Sequence, residues 1–186
     1  FLFSLGLFCI VQFKYGLFTG KVGYIVNRDL PYVAETAVTL VGNALGTLIA
    51  ALLLRQVRFF TSTVSTMDVT ISDRVQATVA GKIHDNPLSI FILAIFCGIL
   101  MFTAVEGSRK CKEEKNFAGS LFVVVMPVMV FIICGFNHCI ADMFYYFFAG
   151  CPEPSKAIVY FILAIAGNSV GGMIVPLLKK LSNQPL

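Results

Sequence analysis

One histidine stands where a long apolar stretch is interrupted by polar residues. The stretch Phe117–Phe148 is broken near its middle by the run Gly135-Phe136-Asn137-His138-Cys139-Ile140-Ala141-Asp142. An imidazole can donate a hydrogen bond to an anion or lend it a proton near neutral pH. An ionisable group at membrane depth is costly, so its presence there indicates a function. We therefore expect His138 to act on a small anion or on its conjugate acid.

A second interruption follows the first apolar run of the chain. It contains Leu17-Phe18-Thr19-Gly20. The Thr19 hydroxyl could donate toward the same anion or toward His138. Leu17 and Phe18 are bulky enough to form an apolar gate, which can close by dewetting. The alternative for Phe18 is plain contact with lipid.

Two charged residues, Lys21 and Asp142, follow the two interruptions at corresponding places. A membrane-buried charge is costly unless it is paired. The sequence therefore predicts an ion pair between Lys21 and Asp142. The alternative is that both side chains face water at the membrane surface.

The composition explains why these interruptions are placed in a membrane. Of 186 residues, 58% are hydrophobic and 13% are charged, which is too apolar for an ordinary cytosolic enzyme, a disordered chain or a nucleic-acid-binding domain. Spanning the hydrocarbon takes about 20 apolar residues. The apolar runs predict a single polytopic membrane domain over residues 1–186 with five segments: Phe1–Phe18 with a break, Val33–Leu54, Pro87–Val105, Phe117–Phe148 with a break, and Ala157–Leu178.

The polar segments between these runs predict the rest of the layout. A short amphipathic surface helix is expected within Arg55–Asn86. The basic residues of 109–115 and 179–180 mark one side as cytoplasmic, with Arg28 on that side and Arg55 on the other. We identify no catalytic group, no cofactor and no metal site, because the six cysteines form no CxxC pair and only two histidines are present.

A five-residue pattern, G-N-x-x-G, occurs twice, 125 residues apart. Each copy follows one of the broken segments, and an odd number of spans separates them, so the repeat is inverted. Inverted repeats with interrupted helices are typical of transporters and channels. Glycines at i and i+4 share one helix face, and we expect these faces to pack inside the protomer. The residues concerned are Gly42, Asn43 and Gly46 in the first copy, and Gly167, Asn168, Gly171 and Gly172 in the second.

Three of these motifs together resemble the formate/nitrite transporter family. Leu17-Phe18-Thr19-Gly20 is similar to the family's L-F-T-G core, and the run around His138 is similar to its G-F-E-H-S-V-A-N-M-F segment. Gly167-Asn168-x-x-Gly171-Gly172 matches its G-N-x-x-G-G. The resemblance implies an all-α, aquaporin-like inverted repeat of six helices with helices two and five interrupted. This chain would hold helices two to six, without helix one.

The resemblance also implies roles for individual residues and an assembly. Thr19 and His138 become pore residues, and Lys82, in a segment similar to A-x-x-K, becomes a vestibule lysine. The family forms homopentamers in the lipid bilayer of the cell or inner membrane of prokaryotes, with one pore in each protomer. Apolar constrictions are expected at Phe3, Leu7, Leu17, Phe18 and Phe131.

The chain departs from the family pattern at the polar positions around both breaks. Gly16 and Asn137 replace glutamates, and Lys21 and Asp142 replace asparagines. This pattern is more similar to the hydrosulfide-channel branch than to the formate channels. The expected function is therefore a channel for a small monovalent anion or its acid, with hydrosulfide favoured and formate or nitrite as the alternative.

Other classes fit the residues less well. An aquaporin-type channel for neutral solutes would carry Asn-Pro-Ala at its half-helices, but the only Asn-Pro here, Asn86-Pro87, is followed by leucine. A redox subunit would need paired histidines or clustered cysteines. A purely structural subunit would gain nothing from two broken helices.

Overall fold

The computed structural model describes residues 2–61, 63–64 and 69–183. The described part is helical apart from one short antiparallel pair of strands, β1 and β2, in which Thr63 faces Thr70 and Val64 faces Val69. The elements in chain order are α1 (Leu2–Phe13), α2 (Phe18–Lys21), α3 (Leu30–Arg55), β1 (Thr63–Val64), β2 (Val69–Thr70), α4 (Ile71–Ile83), α5 (Pro87–Glu113), α6 (Phe117–Ile133), α7 (Cys139–Ala149) and α8 (Pro154–Leu181). Two 3₁₀ turns, Val22–Asn27 and Arg58–Thr61, follow α2 and α3.

Five apolar segments occupy the places that the sequence predicts. Three helices, α3, α5 and α8, are long and apolar enough to cross a membrane by themselves. Phe3–Phe13 and Phe18–Asn27 form a pair bent by 56°, which counts as a fourth span if it is one broken segment. The fifth segment is present as two shorter apolar helices, α6 and α7, and not as one continuous span.

The predicted surface helix between the second and third spans is α4. Thr70 caps its first turn, accepting from Asp73 N at 3.1 Å while the Asp73 carboxylate accepts from the backbone of Thr70. Such a reciprocal cap satisfies two N–H groups that the helix itself leaves free. Val75, Val79 and Ile83, spaced four apart, bury one face of α4, and this face packs toward α7.

The centre of the fold is the packing of α5 against α8. A Cβ on Gly167 would lie 2.6 Å from Ala94 Cβ and 2.7 Å from Phe91 O, and one on Gly171 would collide with Ile95 O. Only glycine lets the two backbones approach this closely. The second G-N-x-x-G copy therefore lies in the contact between α5 and α8.

The predicted packing of the first copy is wrong. A Cβ on Gly42 or Gly46 would meet nothing within 4 Å in the described part of the chain. The reason is the orientation of α3, which turns this face outward, so that Val41 and Leu45 on it are also exposed. Gly46 lines a cavity instead.

Two other expectations concern the ends of the helices. Lys180 Nζ donates to Val26 O at 3.2 Å, and Tyr24 OH donates to Glu106 at 2.7 Å, so the turn preceding Arg28 and the ends of α5 and α8 share one end of the bundle, as predicted. Asn86 caps α5 by accepting from Leu88 N at 2.9 Å, with Pro87 in the first turn. Asn86-Pro87 thus begins a continuous helix, as proline in the first turn commonly does.

Candidate functional site

The two breaks have the same backbone construction. Helix α1 is followed directly by Lys14 (φ 58°), and α6 is followed two residues after its end by Gly135 (φ 67°). Both residues have left-handed backbone conformations. The next residue in each case donates its N–H back into the helix at 2.9 Å, Tyr15 to Ile10 O and Phe136 to Phe131 O. These hydrogen bonds satisfy carbonyl groups that the end of a helix otherwise leaves without a partner. Because Lys14 and Gly135 are equivalent, the two halves of the repeat can be aligned residue by residue, and Leu17 then corresponds to His138.

The asparagine of each G-N-x-x-G copy forms hydrogen bonds with the backbone of one of these breaks. Asn43 accepts from Phe18 N at 2.9 Å and donates to Gly16 O at 2.9 Å. Asn168 accepts from Cys139 N at 2.9 Å and donates to Asn137 O at 2.8 Å, with a further bond to Ala94 O at 2.8 Å. Each amide therefore satisfies the backbone on both sides of the residue at the tip of the break, which lipid could not do. The spacing of these motifs predicted only helix packing and not this role of the asparagines. The signal in the sequence was an asparagine repeated at the same place in two apolar helices.

The two breaks meet at a hydrogen bond between Thr19 and His138. Thr19 Oγ1 lies 3.1 Å from His138 Nε2, and both side chains are buried. The backbone N–H of Ala141 donates to His138 Nδ1 at 3.2 Å, so that His138 caps α7. Because Nδ1 accepts, a neutral ring carries its hydrogen on Nε2 and donates it to Thr19. The Thr19 hydroxyl hydrogen is then free for another acceptor.

A cavity of about 390 Å³ is lined by His138, whereas Thr19 is fully buried behind its wall. Most of the side chains in its wall are apolar. His138, Thr47 and Tyr145 are the polar residues that line it. A second cavity, of about 540 Å³, shares Leu17 and Ile10 with the first, which makes Leu17 a partition between the two spaces.

The residues expected to form constrictions cluster on the side of the first cavity. Phe3 and Leu7 line it together with Leu17. The Phe3 ring packs edge-on against Phe131, with centroids 5.5 Å apart, and Phe131 lies 5.7 Å from the His138 ring. Phe18 is buried at the start of α2 and is not among the residues lining either cavity.

Lys82 lies beside the second break and not in either cavity wall. Its ammonium donates to Asn137 Oδ1 at 2.8 Å and forms an ion pair with Asp142 at 3.2 Å. Asp142 is 5% exposed, and its second oxygen accepts from Tyr160 OH at 2.6 Å. The positive charge of Lys82 is therefore balanced by a carboxylate immediately after the break.

The predicted ion pair between Lys21 and Asp142 is wrong. Lys21 pairs with Glu35 on α3, and Asp142 pairs with Lys82. An inverted repeat sends equivalent positions toward opposite ends of the bundle. Lys21 therefore lies near Val105, in the second half of α5, while Asp142 lies near the beginning of that helix, where Asn137 donates to Ile90 O at 3.2 Å. Nothing in the sequence pattern indicated that Glu35 and Tyr160 would be the further partners of Lys21 and Asp142.

Comparison with known proteins agrees with this geometry. The family model described as "Formate/nitrite transporter" matches residues 1–180. The chain is 29% identical over 144 residues to the formate channel FocA of Haemophilus influenzae, covering 76% of this chain and 50% of that protein. It is 28% identical over 183 residues to the uncharacterized transporter YrhG of Bacillus subtilis, covering 92% of this chain and 65% of that protein. The chain thus spans about half to two thirds of the length of these relatives.

Two solved structures share the fold. A pentameric formate channel with formate bound superposes with a TM-score of 0.75 at 24% identity, covering 97% of this chain and 80% of that one. A structure described as an FNT family ion channel gives a TM-score of 0.80 at 16% identity, covering 98% and 75%. The predicted aquaporin-like architecture with two interrupted helices is confirmed.

Proposed function

The chain belongs to the formate/nitrite transporter family, and from this premise we propose that it conducts a small monovalent anion, or its conjugate acid, across a membrane. The observation that carries the proposal is the buried hydrogen bond between Thr19 and His138, 3.1 Å long, where the two interrupted helices meet. In the proposed assembly five copies associate in the plasma membrane of a prokaryote, with one pathway in each protomer over residues 1–186.

The proposed pathway runs from the second cavity past Leu17 into the first cavity. A bare charge in an apolar passage is expensive, and most of the wall of the first cavity is apolar. Thr19 lowers this cost by donating its free hydroxyl hydrogen to the permeant anion. His138 orients that hydroxyl by donating to it through Nε2.

In this proposal His138 acts as a fixed neutral donor. Giving up a proton to the anion would require an imidazolium, with hydrogens on both ring nitrogens. The hydrogen on Nδ1 would then face the N–H of Ala141, which now donates to that atom. A cap bond would be lost at the moment of proton transfer.

Lys82 and the apolar residues have supporting roles in this proposal. Lys82 brings positive charge to the second break, where Asp142 balances it at 3.2 Å. Phe131 and Phe3 pack against each other beside His138 and narrow the approach from the first cavity. Leu17, which lines both cavities, forms the corresponding barrier at the first break.

Hydrosulfide is our preferred substrate, because it is monovalent and its acid is small and weakly hydrated, which suits an apolar cavity. Formate is the second candidate, since FocA of Haemophilus influenzae is described as a formate channel. The deciding experiment is to reconstitute the whole protein in liposomes and compare hydrosulfide, formate, nitrite and chloride flux. Flux of at least one small weak-acid anion, lost in Thr19→Val, supports the proposal; vesicles that are no more permeable than protein-free controls would refute it.

A further inference from the structure

The second cavity, of about 540 Å³, is strongly basic. Lys14, Lys21, Arg109 and Lys112 line it, against the single carboxylate of Glu35. A cleft lined by one sign of charge concentrates counter-ions from solution. This cavity adjoins Leu17 on the side facing away from the first cavity, at the end of the bundle where α5 and α8 terminate.

Two of these four cations already have carboxylate partners. Lys21 forms an ion pair with Glu35 and lies 5.4 Å from the centre of the Tyr32 ring. Arg109 is held by Glu106 at 2.7 Å, on its own helix. Neither side chain needs a ligand from solution to balance its charge.

The other two, Lys14 and Lys112, have no carboxylate partner within the described ranges. Lys112 Nζ donates to Val11 O at 2.7 Å, a carbonyl in the last turn of α1, which fixes the ammonium and leaves two of its three hydrogens free. Lys14 is exposed at the start of the first break, directly after α1, in the left-handed conformation. Both side chains line this one cavity, so an anion held between them would relieve the repulsion between their positive charges.

We propose that Lys14 and Lys112 bind a divalent oxyanion, of the phosphate or sulfate class, at this mouth. Lysine ammonium groups are common phosphate ligands, and two of them match a charge of −2. Leu17 is 7% exposed and closes the inner end of the cavity, and a dianion loses more hydration in an apolar passage than a monoanion does. The bound dianion therefore stays at the mouth of the cavity and blocks conduction of the monovalent anion. This block rests on the proposed function, whereas the binding itself does not depend on it.

Binding is tested first without any measurement of transport. The whole protein in phosphatidylcholine nanodiscs is acetylated with a limiting amine-reactive ester at pH 8, with and without inorganic phosphate, and each lysine is followed by mass spectrometry. We expect phosphate to slow acetylation of Lys14 and Lys112 about fivefold, a size typical of partly exposed ion pairs. Lys115, which is exposed just beyond the end of the same helix and outside the cavity, is the internal control.

A second arm separates free phosphate from a lipid headgroup. Nanodiscs containing phosphatidylglycerol are labelled with no phosphate added. Protection of Lys14 and Lys112 in these discs alone would assign the site to lipid and overturn the proposal of a soluble blocker. No protection in either disc, or equal protection of Lys115, would overturn the site.

The consequence for transport is measured separately. In liposomes that conduct formate or hydrosulfide, we expect phosphate added on this side to inhibit flux. Lys14→Gln and Lys112→Gln should each raise the half-inhibitory concentration about fivefold, and Lys115→Gln should leave it unchanged. Equal inhibition of all three variants would show that the block is not at this mouth, whereas absence of any flux in the wild type would count against the proposed function and leave the labelling result standing.

Discussion

His138 combines two tasks that a substitution can separate. It caps α7 through Nδ1 and donates to Thr19 through Nε2. Asparagine is a good helix cap and a neutral donor, whereas alanine is neither. We expect His138→Asn to retain part of the flux, because it keeps both a cap and a neutral donor, and His138→Ala to lose most of the flux together with about 1 kcal/mol of stability from the missing cap.

Flux through reconstituted liposomes between pH 5 and pH 8 checks this expectation. If the imidazole must exist as imidazolium to conduct, His138→Asn will be as inactive as His138→Ala. Unchanged flux and an unchanged pH profile in His138→Ala would show that the histidine has no central role.

The pair of Lys82 and Asp142 gives a second prediction at this scale. Removing one partner of a buried ion pair leaves an uncompensated charge, while removing both is often nearly neutral. Because the Lys82 side chain is 19% exposed, we expect Asp142→Asn to cost about 2 kcal/mol of stability, below the range for a fully buried pair. Lys82→Met combined with Asp142→Asn should recover most of this loss.

Thermal unfolding in detergent, followed with a thiol-reactive dye that reports exposure of the buried Cys97 and Cys139, measures both variants. Tyr160→Phe is the matched control, because it removes a hydrogen bond to Asp142 and no charge. A double variant that is less stable than Asp142→Asn alone would contradict the pairing.

At the scale of the helices, the two breaks have the same backbone construction, but the asparagine that bonds to the second break is more deeply buried and forms more hydrogen bonds. Asn168 is fully buried with three hydrogen bonds, between glycines that touch α5. Asn43 is only half-buried with two bonds, and a Cβ on either flanking glycine would meet nothing within 4 Å in the described part of the chain. An unsatisfied buried polar group costs about 1–3 kcal/mol. Asn168→Ala should therefore lower stability by about 3 kcal/mol, and Asn43→Ala by about 1 kcal/mol.

The same thiol-dye unfolding assay compares these two variants, and flux completes the comparison. Asn43→Ala frees the backbone around Leu17, so it should remain folded and become leakier to formate. Equal destabilisation by the two substitutions would mean that the first break is as firmly held as the second.

The glycines of the two motifs give a matched pair of substitutions. Gly171→Leu places a side chain where the carbonyl of Ile95 lies, so the protomer should fail to fold. Gly46→Leu meets open space and points into the wall of the first cavity, so it should fold normally and reduce flux. Size-exclusion profiles followed by flux measurements distinguish the two; a misfolded Gly46→Leu protein would contradict the placement of α3.

The helices show what the sequence could and could not predict. The apolar runs, the two breaks and the surface helix α4 depend on local composition and periodicity, and each was predicted close to its place. The contact between Thr19 and His138 was one of the two alternatives that the sequence left open for the Thr19 hydroxyl. The prediction that Lys21 and Asp142 form an ion pair was wrong, since two charged residues can pair only if they lie at the same end of the bundle. The prediction that Gly42 and Gly46 pack inside the protomer was wrong as well, because spacing along a helix does not reveal which side of the helix meets a neighbour.

At the scale of the whole molecule, a stripe of large apolar side chains on α5 is only partly covered by the described chain, in which the Phe96 ring stacks on Phe136 with centroids 5.7 Å apart. Leu88, Ile92 and Phe96 recur every four residues and are 65%, 42% and 50% exposed. In a membrane protein such a face meets either lipid or another subunit. In the homopentamer that we propose, we assign the α5 stripe to the contact between protomers.

A single introduced tryptophan tests this assignment, since the sequence contains none. Phe96→Trp, reconstituted in bilayers of brominated lipid, should fluoresce nearly as strongly as in ordinary lipid, because a neighbouring protomer would exclude the quenching bromines. The same variant dissociated to monomers in brominated detergent supplies the fully quenched reference, and native mass spectrometry should report five copies before dissociation. Strong quenching in the intact pentamer would place the α5 stripe against lipid, and the contact between protomers would then have to lie on another outward face, such as that of α3, where Val38 and Ile49 are 71% and 59% exposed.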